Sequence, residues 1–429
     1  MPTIFDLLAI MLALTACFAW LNHVFIHLPH TIGLLVMGLV SSLLLIVVEL
    51  LVPDVHLYED LTALIRHIDF QRTVLDGMLA FLLFAGALHV DFAQLRRRGW
   101  PVGVMATLGV VISTFVVGLG LWALAAAFGI ALPFTWALVF GALISPTDPV
   151  AVLATLKTVK VPRSLETDMA GESLFNDGVG VVVFTALLIM ATQSTGESVG
   201  AFGVLQLFVV EALGGAVIGM ATGFLAYFAM KKIDDYPIEV LISIALATGA
   251  YALASMLHSS GPIAVVVAGL IIGNKGPKDA LSDQTQRYLF GYWTLVDEIL
   301  NSILFLLIGL EVLVLRFELN QTILAFMLLP VVFLARLLAT ALPVKLLQRW
   351  QTFTPGTIAV LTWGGLRGGI SIALALSLPE VAQKPLLLTA TYVTVIFTVV
   401  VQGLTLRKVI ARYLHEDAGS VLEEREQAS

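Results

Sequence analysis

Apolar stretches of about 20 residues, each long enough to span a bilayer, recur along the whole chain. They run from residue 4 to residue 410, and no interval between them is long enough for a separate soluble domain. Inside a ~30 Å hydrocarbon layer only helices and closed barrels satisfy their backbone groups, and stretches of this length cross as helices. The balance of residues agrees: 59% are hydrophobic and 12% charged, about half the charged share of a soluble domain. The sequence predicts an all-α polytopic membrane protein of about 13 transmembrane helices. The spans read as residues 4–26, 30–52, 73–90, 101–128, 134–156, 168–192, 202–230, 237–257, 261–273, 289–315, 321–347, 355–378 and 385–410. Cys17 is the single cysteine, so no intrachain disulfide forms, and it reads as a small core residue. The first stretch lacks a basic leading segment and reads as a retained span.

Charge sets the orientation. With the N-terminus outside, basic clusters such as Arg96–Arg98, Lys231–Lys232 and Arg407–Lys408 fall on the inner side. Only Arg66, Arg72, Arg316 and Lys384 fall outside, while Arg336 and Arg367 lie within spans. That bias predicts an integral plasma-membrane protein, in a bacterial inner membrane, with a cytoplasmic C-terminus. The ninth span, 261–273, is short for a crossing, but without it the basic residues of the last spans would change sides. The transmembrane domain reads as 1–413, followed by a polar cytoplasmic tail at 414–429.

Two spans contain residues that a continuous membrane helix avoids. The fifth carries Ser145-Pro146-Thr147-Asp148-Pro149 inside an apolar run. A proline lacks an N–H and clashes with the carbonyl four residues back, so Pro146 is expected to free the carbonyl of Ala142 and Pro149 that of Ser145. The twelfth carries Gly364-Gly365-Leu366-Arg367-Gly368-Gly369, glycines that weaken the helix around a charge. The breaks are seven spans apart, so the two segments run in opposite directions. Inverted six-helix repeats, at about 1–193 and 237–413 with 202–230 as the link, account for this. Paired broken helices in such repeats mark the ion site of secondary transporters.

The sixth span opens Gly171-Glu172-Ser173-Leu174-Phe175-Asn176-Asp177. Ser173, Asn176 and Asp177 share one helix face, and Glu172 points about 100° away. A carboxylate at membrane depth is costly and marks function. Desolvation disfavours its charged form, so a proton and a cation compete for it. Oxygens from Ser173, Asn176, Thr147 and the freed carbonyls would help a cation displace the proton. Asp148 and Arg367 are suited to offset the partial charges of the broken half-helices. Arg336 needs a buried acid, since an unpaired buried charge is costlier than a paired one; Glu172 is the preferred partner and Glu298 the second. Asp297 and Glu298 are further acids available to the site. His89, His258 and Glu311 read as interfacial.

These residues resemble the NhaP/NHE branch of the monovalent cation:proton antiporters. The resemblance rests on Gly141–Val152 and Gly171–Asp177, supported by Asn301–Leu310, Ala335-Arg336 and Trp363–Gly368, in the expected order over nearly the whole chain. It implies a thirteen-helix homodimer in membrane lipid, working by alternating access in pH homeostasis. It implies that Asp177 carries the exchanged sodium ion or proton, that Ser173, Thr147 and Asp148 contribute directly or through water, and that Glu172 pairs with Arg336. Asn176 in place of a second aspartate points to electroneutral exchange, as one titrating carboxylate carries one ion per cycle.

One position departs from the pattern: Ala85 stands where many members carry a glutamate, followed by Gly86-Ala87-Leu88. Cation choice among sodium, lithium and potassium is therefore open, with potassium/proton exchange the alternative. A passive cation channel would keep the buried acids without coupling them to protons. An intramembrane aspartyl protease would need a Gly-x-Gly-Asp sequence and has no use for Arg336 and Arg367. No enzymatic activity, cofactor or nucleic-acid partner is expected; the ligands are the transported cation and the proton.

Overall fold

Helix is the only regular structure among the described residues, which in the computed structural model are 4–51, 73–148, 152, 162–192, 201–313 and 318–413. In chain order the helices are α1 (Ile4–Leu21), α2 (His30–Leu51), α3 (Leu79–Leu88), α4 (Phe92–Ala127), α5 (Phe134–Leu143), α6 (Arg163–Thr192) and α7 (Ala201–Met230). There follow α8 (Tyr236–Met256), α9 (Gly261–Lys275), α10 (Asp283–Glu311), α11 (Leu319–Leu347), α12 (Thr357–Trp363), α13 (Gly369–Leu376) and α14 (Lys384–Phe397). Nine helices among the described residues are long and apolar enough to cross a membrane. With α3, α5, α9 and the interrupted pair α12 and α13, they fill the thirteen expected positions. Pro149, the second half of the fifth span and the tail at 414–429 lie outside the described residues.

Local chemistry explains several boundaries. Asp235, Ser260 and Ser282 cap α8, α9 and α10 by accepting from Ile238, Ile263 and Thr285 N–H groups, which satisfies donors that the first helical turn leaves free. Prolines at the first turn of α8 and α9 reinforce those starts. The short α9 has 15 residues, about 22 Å of helix. Nine of them are buried, so protein rather than lipid covers most of it. Three helix starts, those of α4, α6 and α10, lie ahead of expectation. The fourth helix begins at Phe92 and runs through Pro101, because Gln94, Leu95 and Arg96–Arg98 are good helix formers that continue the helix out of the apolar span. The tenth begins at Asp283, where Ser282 provides the cap.

The chain divides into two compact units, each drawn from both halves of the sequence. The first comprises residues 1–89, 214–323 and 369–393, and the second 90–213, 324–368 and 394–429. In the first unit, Trp293 is fully buried on α10, with its ring 4.6 Å from that of Phe84 on α3. Its indole Nε1–H donates to Ser243 on α8 at 2.9 Å, so the polar edge of a large apolar ring is not left unsatisfied.

In the second unit α5 lies close against α4. A Cβ at Gly141 would collide with the carbonyl of Thr114. Small residues at such contacts let membrane helices approach backbone to backbone, where close van der Waals packing replaces the hydrophobic effect. Met105 of α4, Leu165 and Met169 of α6, Val344 of α11 and Leu361 of α12 pack in one core cluster of this unit.

Candidate functional site

The site is built in the second unit around two helix breaks. Helix α5 ends at Leu143, and Ser145–Asp148 are non-helical. The carbonyl of Ala142 is not free, contrary to expectation: the Ser145 N–H donates to it at 3.1 Å, closing the last turn more tightly. The displaced acceptors are the carbonyls of Ser145 and Pro146. Both receive Arg367 Nη1, the second at 3.1 Å. The guanidinium thus sits where the end of α5 concentrates negative partial charge, and these oxygens are occupied by an arginine rather than offered to a cation. Reciprocally, the Asp148 N–H donates to the carbonyl of Leu366 in the break after α12, at 2.8 Å. Gly368 completes the crossing, since a Cβ there would run into the Asp148 carboxylate.

Helix α6 passes this crossing with four buried polar side chains: Glu172, Ser173, Asn176 and Asp177. Arg336 of α11 is paired with Glu172 through both terminal nitrogens, Nη2 reaching Oε2 at 2.7 Å. It also donates to the Leu361 carbonyl at 3.1 and 3.0 Å. Asn176 donates to Glu172 Oε1 at 3.2 Å and to Thr147 Oγ1 at 2.8 Å, and its oxygen accepts the Thr147 N–H at 3.3 Å. Ser173 Oγ donates to the Thr147 carbonyl and accepts from Thr147 Oγ1 at 3.4 Å. Asn176 therefore acts as a strut between ion pair and broken helix, with its oxygen already engaged. Thr147 and Ser173 keep hydroxyl lone pairs to offer.

Asp177 stands one turn after Ser173 on the same face. It is 6% exposed, and among the described residues it has no hydrogen-bond partner and no basic partner. The charges that act on it are Asp148 and Glu172, both acids. A carboxylate so placed gains by taking up a proton or a cation, whereas Glu172 is already neutralised by Arg336.

Asp297 and Glu298 belong to α10 in the first unit; Asp297 accepts from Asn301 Nδ2 at 2.9 Å, and Glu298 is exposed. Ala85 is buried on α3 of that unit. Glu311 closes α10 and is buried within the protein. Sequence reasoning missed one buried ion pair, Arg98 with Asp168. Starting the fourth span at residue 101 left Arg98 in a loop; the helical continuity of Phe92–Trp100 was the signal that could have found it.

Comparison with known proteins fits this geometry. The family described as sodium/hydrogen exchanger, transmembrane, matches residues 10–412. The Na(+)/H(+) antiporter NhaP of Pseudomonas aeruginosa is 45% identical over 428 residues, covering 99% of each chain. The Na(+)/H(+) antiporter NhaH of Halobacillus dabanensis is 34% identical over 389 residues, 90% of this chain and 92% of that one. The solved structure of the sodium proton antiporter MjNhaP1 from Methanocaldococcus jannaschii superposes with a TM-score of 0.69 at 18% identity, over 94% and 95% of the two chains, a likeness of fold. With the family model spanning nearly the whole sequence, the chain belongs to the sodium/hydrogen exchanger family.

Proposed function

We propose that this chain is a secondary active antiporter that exchanges one sodium ion for one proton across the membrane by alternating access. The observation that carries this reading is Asp177: a buried carboxylate with no basic partner among the described residues, beside two crossed helix breaks. In this scheme Asp177 holds the proton in one half-cycle and the cation in the other. The cation would be completed by oxygens of Ser173 and Thr147, while Asp148 and Arg367 balance the half-helix ends. Glu172 and Arg336 serve as a structural pair, and Asn176 positions Thr147. The relatives named as Na(+)/H(+) antiporters support sodium as the cation. Lithium is a second substrate of the same site.

A homodimer in the bacterial inner membrane, with N-terminus outside and C-terminus cytoplasmic, completes the proposal. The inverted repeat at about 1–193 and 237–413 is part of it. It is supported by residues 1–89 and 237–323 falling in one compact unit and residues 90–193 and 324–368 in the other.

The test is dequenching of a pH-sensitive dye in proteoliposomes on addition of sodium, lithium or potassium salt. Sodium and lithium are expected to release the proton gradient, and Asp177→Asn to abolish the response while the protein still inserts and folds. A response to potassium alone would establish the potassium/proton alternative. Cation flux without proton movement would establish a channel. Proton-coupled transport persisting in Asp177→Asn would move the site elsewhere, with Asp148 the first candidate.

A further inference from the structure

Four residues before Glu172, helix α6 carries a third buried acid that no step above uses. Asp168 is 1% exposed. Arg98 of α4 reaches it through Nε and, at 2.5 Å, through Nη2. The same guanidinium donates from Nη1 to the Thr352 carbonyl at 3.1 Å and lies 5.1 Å from the centre of the Phe353 ring. Arg98 thus joins α4, α6 and the connector between α11 and α12. Residues four apart on a helix are neighbours, so Asp168–Arg98 and Glu172–Arg336 are two ion pairs stacked one turn apart on α6. Their arginines come from different helices.

We propose that Arg98 is a positioning residue for exchange: by pairing with Asp168 it fixes the net charge under which Asp177 binds its cation. The proposal rests on the reading of Asp177 as the exchange site. The charges that act on Asp168 are Arg98 from α4 and Glu172 from its own helix; those that act on Asp177 are Asp148 from the α5 break and Glu172. The connector residues against Arg98, Thr352 and Phe353, bring no titratable group. With Arg98 and Arg336 both in place, each acid on this side of α6 except Asp177 has its own counter-charge. Removing one member of the outer pair leaves a single charge about 13 Å along the helix from Asp177. At effective dielectrics between those of water and a protein interior, that charge changes cation affinity about two- to eightfold. Its sign depends on which member is removed.

A tether without electrostatic consequence behaves differently, because loss of either partner damages the same contact. The discriminating measurement is the sodium KM of exchange in proteoliposomes, at the alkaline end of the active range where protons compete least. Arg98→Gln is expected to lower KM and Asp168→Asn to raise it, each about two- to eightfold, with the double variant Arg98→Gln/Asp168→Asn near the native value. Arg98→Lys, which keeps the charge and loses the fork, is expected to keep native KM. It serves with the double variant if Arg98→Gln alone does not fold. Shifts of the two single variants in the same direction, or a fall in maximal rate with KM unmoved in both, would overturn the proposal, as would a shifted KM in Arg98→Lys. Asp177→Asn separates the two levels: if it is inactive while the opposed shifts fail, only the role of Arg98 falls; if it is active, the site itself is elsewhere.

Discussion

Arg336 grips Glu172 with both terminal nitrogens while donating twice more to the Leu361 carbonyl, so one guanidinium ties α6 and α11 to the half-helix α12. All three groups are buried, and the pair is satisfied only while both members are present. Glu172→Gln or Arg336→Gln is expected to cost about 3–5 kcal/mol by leaving a buried charge unpaired. The double replacement should recover part of that loss. Thermal melting of the four proteins in detergent measures it, and simple additivity of the single effects would show that the two residues do not stabilise one another.

Asn176 uses its amide nitrogen on both Glu172 and Thr147. Asn176→Asp removes those donors and sets a carboxylate beside Glu172. It should lower stability by about 1–3 kcal/mol for the acceptors left unsatisfied, and reduce exchange. The native chain, with one titrating carboxylate at the crossing, is expected to give no cation-dependent current on a solid-supported membrane. A robust current would require another titrating group, with Asp148 or Glu298 the candidates.

The crossing of the two breaks leaves no room at Gly368, where a Cβ would meet the Asp148 carboxylate. Gly368→Ala should therefore destabilise by about 1–3 kcal/mol, the usual cost of overpacking. Because the Asp148 Cβ itself lies 2.6 Å from that position, it is Asp148→Gly/Gly368→Ala that should restore part of the melting temperature, without restoring exchange. Full activity in Gly368→Ala alone would mean the crossing opens freely and does not constrain Asp148.

Ala85, the position at which the sequence departs from the resemblance described above, is buried on α3. A second carboxylate lowers the cost of stripping water from a small cation. The native protein is expected to show modest cation affinity and loose selectivity among sodium, lithium and potassium, and Ala85→Glu to tighten both. Apparent affinities for each ion in the two proteins decide it. Tight native sodium binding that excludes potassium, unchanged by the substitution, would show that position 85 does not set cation choice.

The sequence by itself determined the solvent, the element type and the places of the two helix breaks. Apolar runs of membrane length admit only helices, since lipid offers backbone groups no other partner. Pro146 and the glycines around Arg367 marked both breaks, because a missing N–H and absent side chains act locally, whatever surrounds them. Spacing along α6 put Ser173, Asn176 and Asp177 on one face for the same reason. The tertiary structure decided which buried groups meet. The carbonyls released by the α5 break go to Arg367, some 220 residues further along, and Asn176 spends its oxygen on the Thr147 N–H. Arg336 had two candidate acids in sequence, Glu172 and Glu298, and one in space, Glu172. Arg98 looked like loop charge until α4 extended beneath it and brought it onto Asp168. Long-range pairing depends on how helices pack, and packing depends on volumes such as those at Gly141 and Gly368. No local pattern encodes which helix, hundreds of residues away, will fill them.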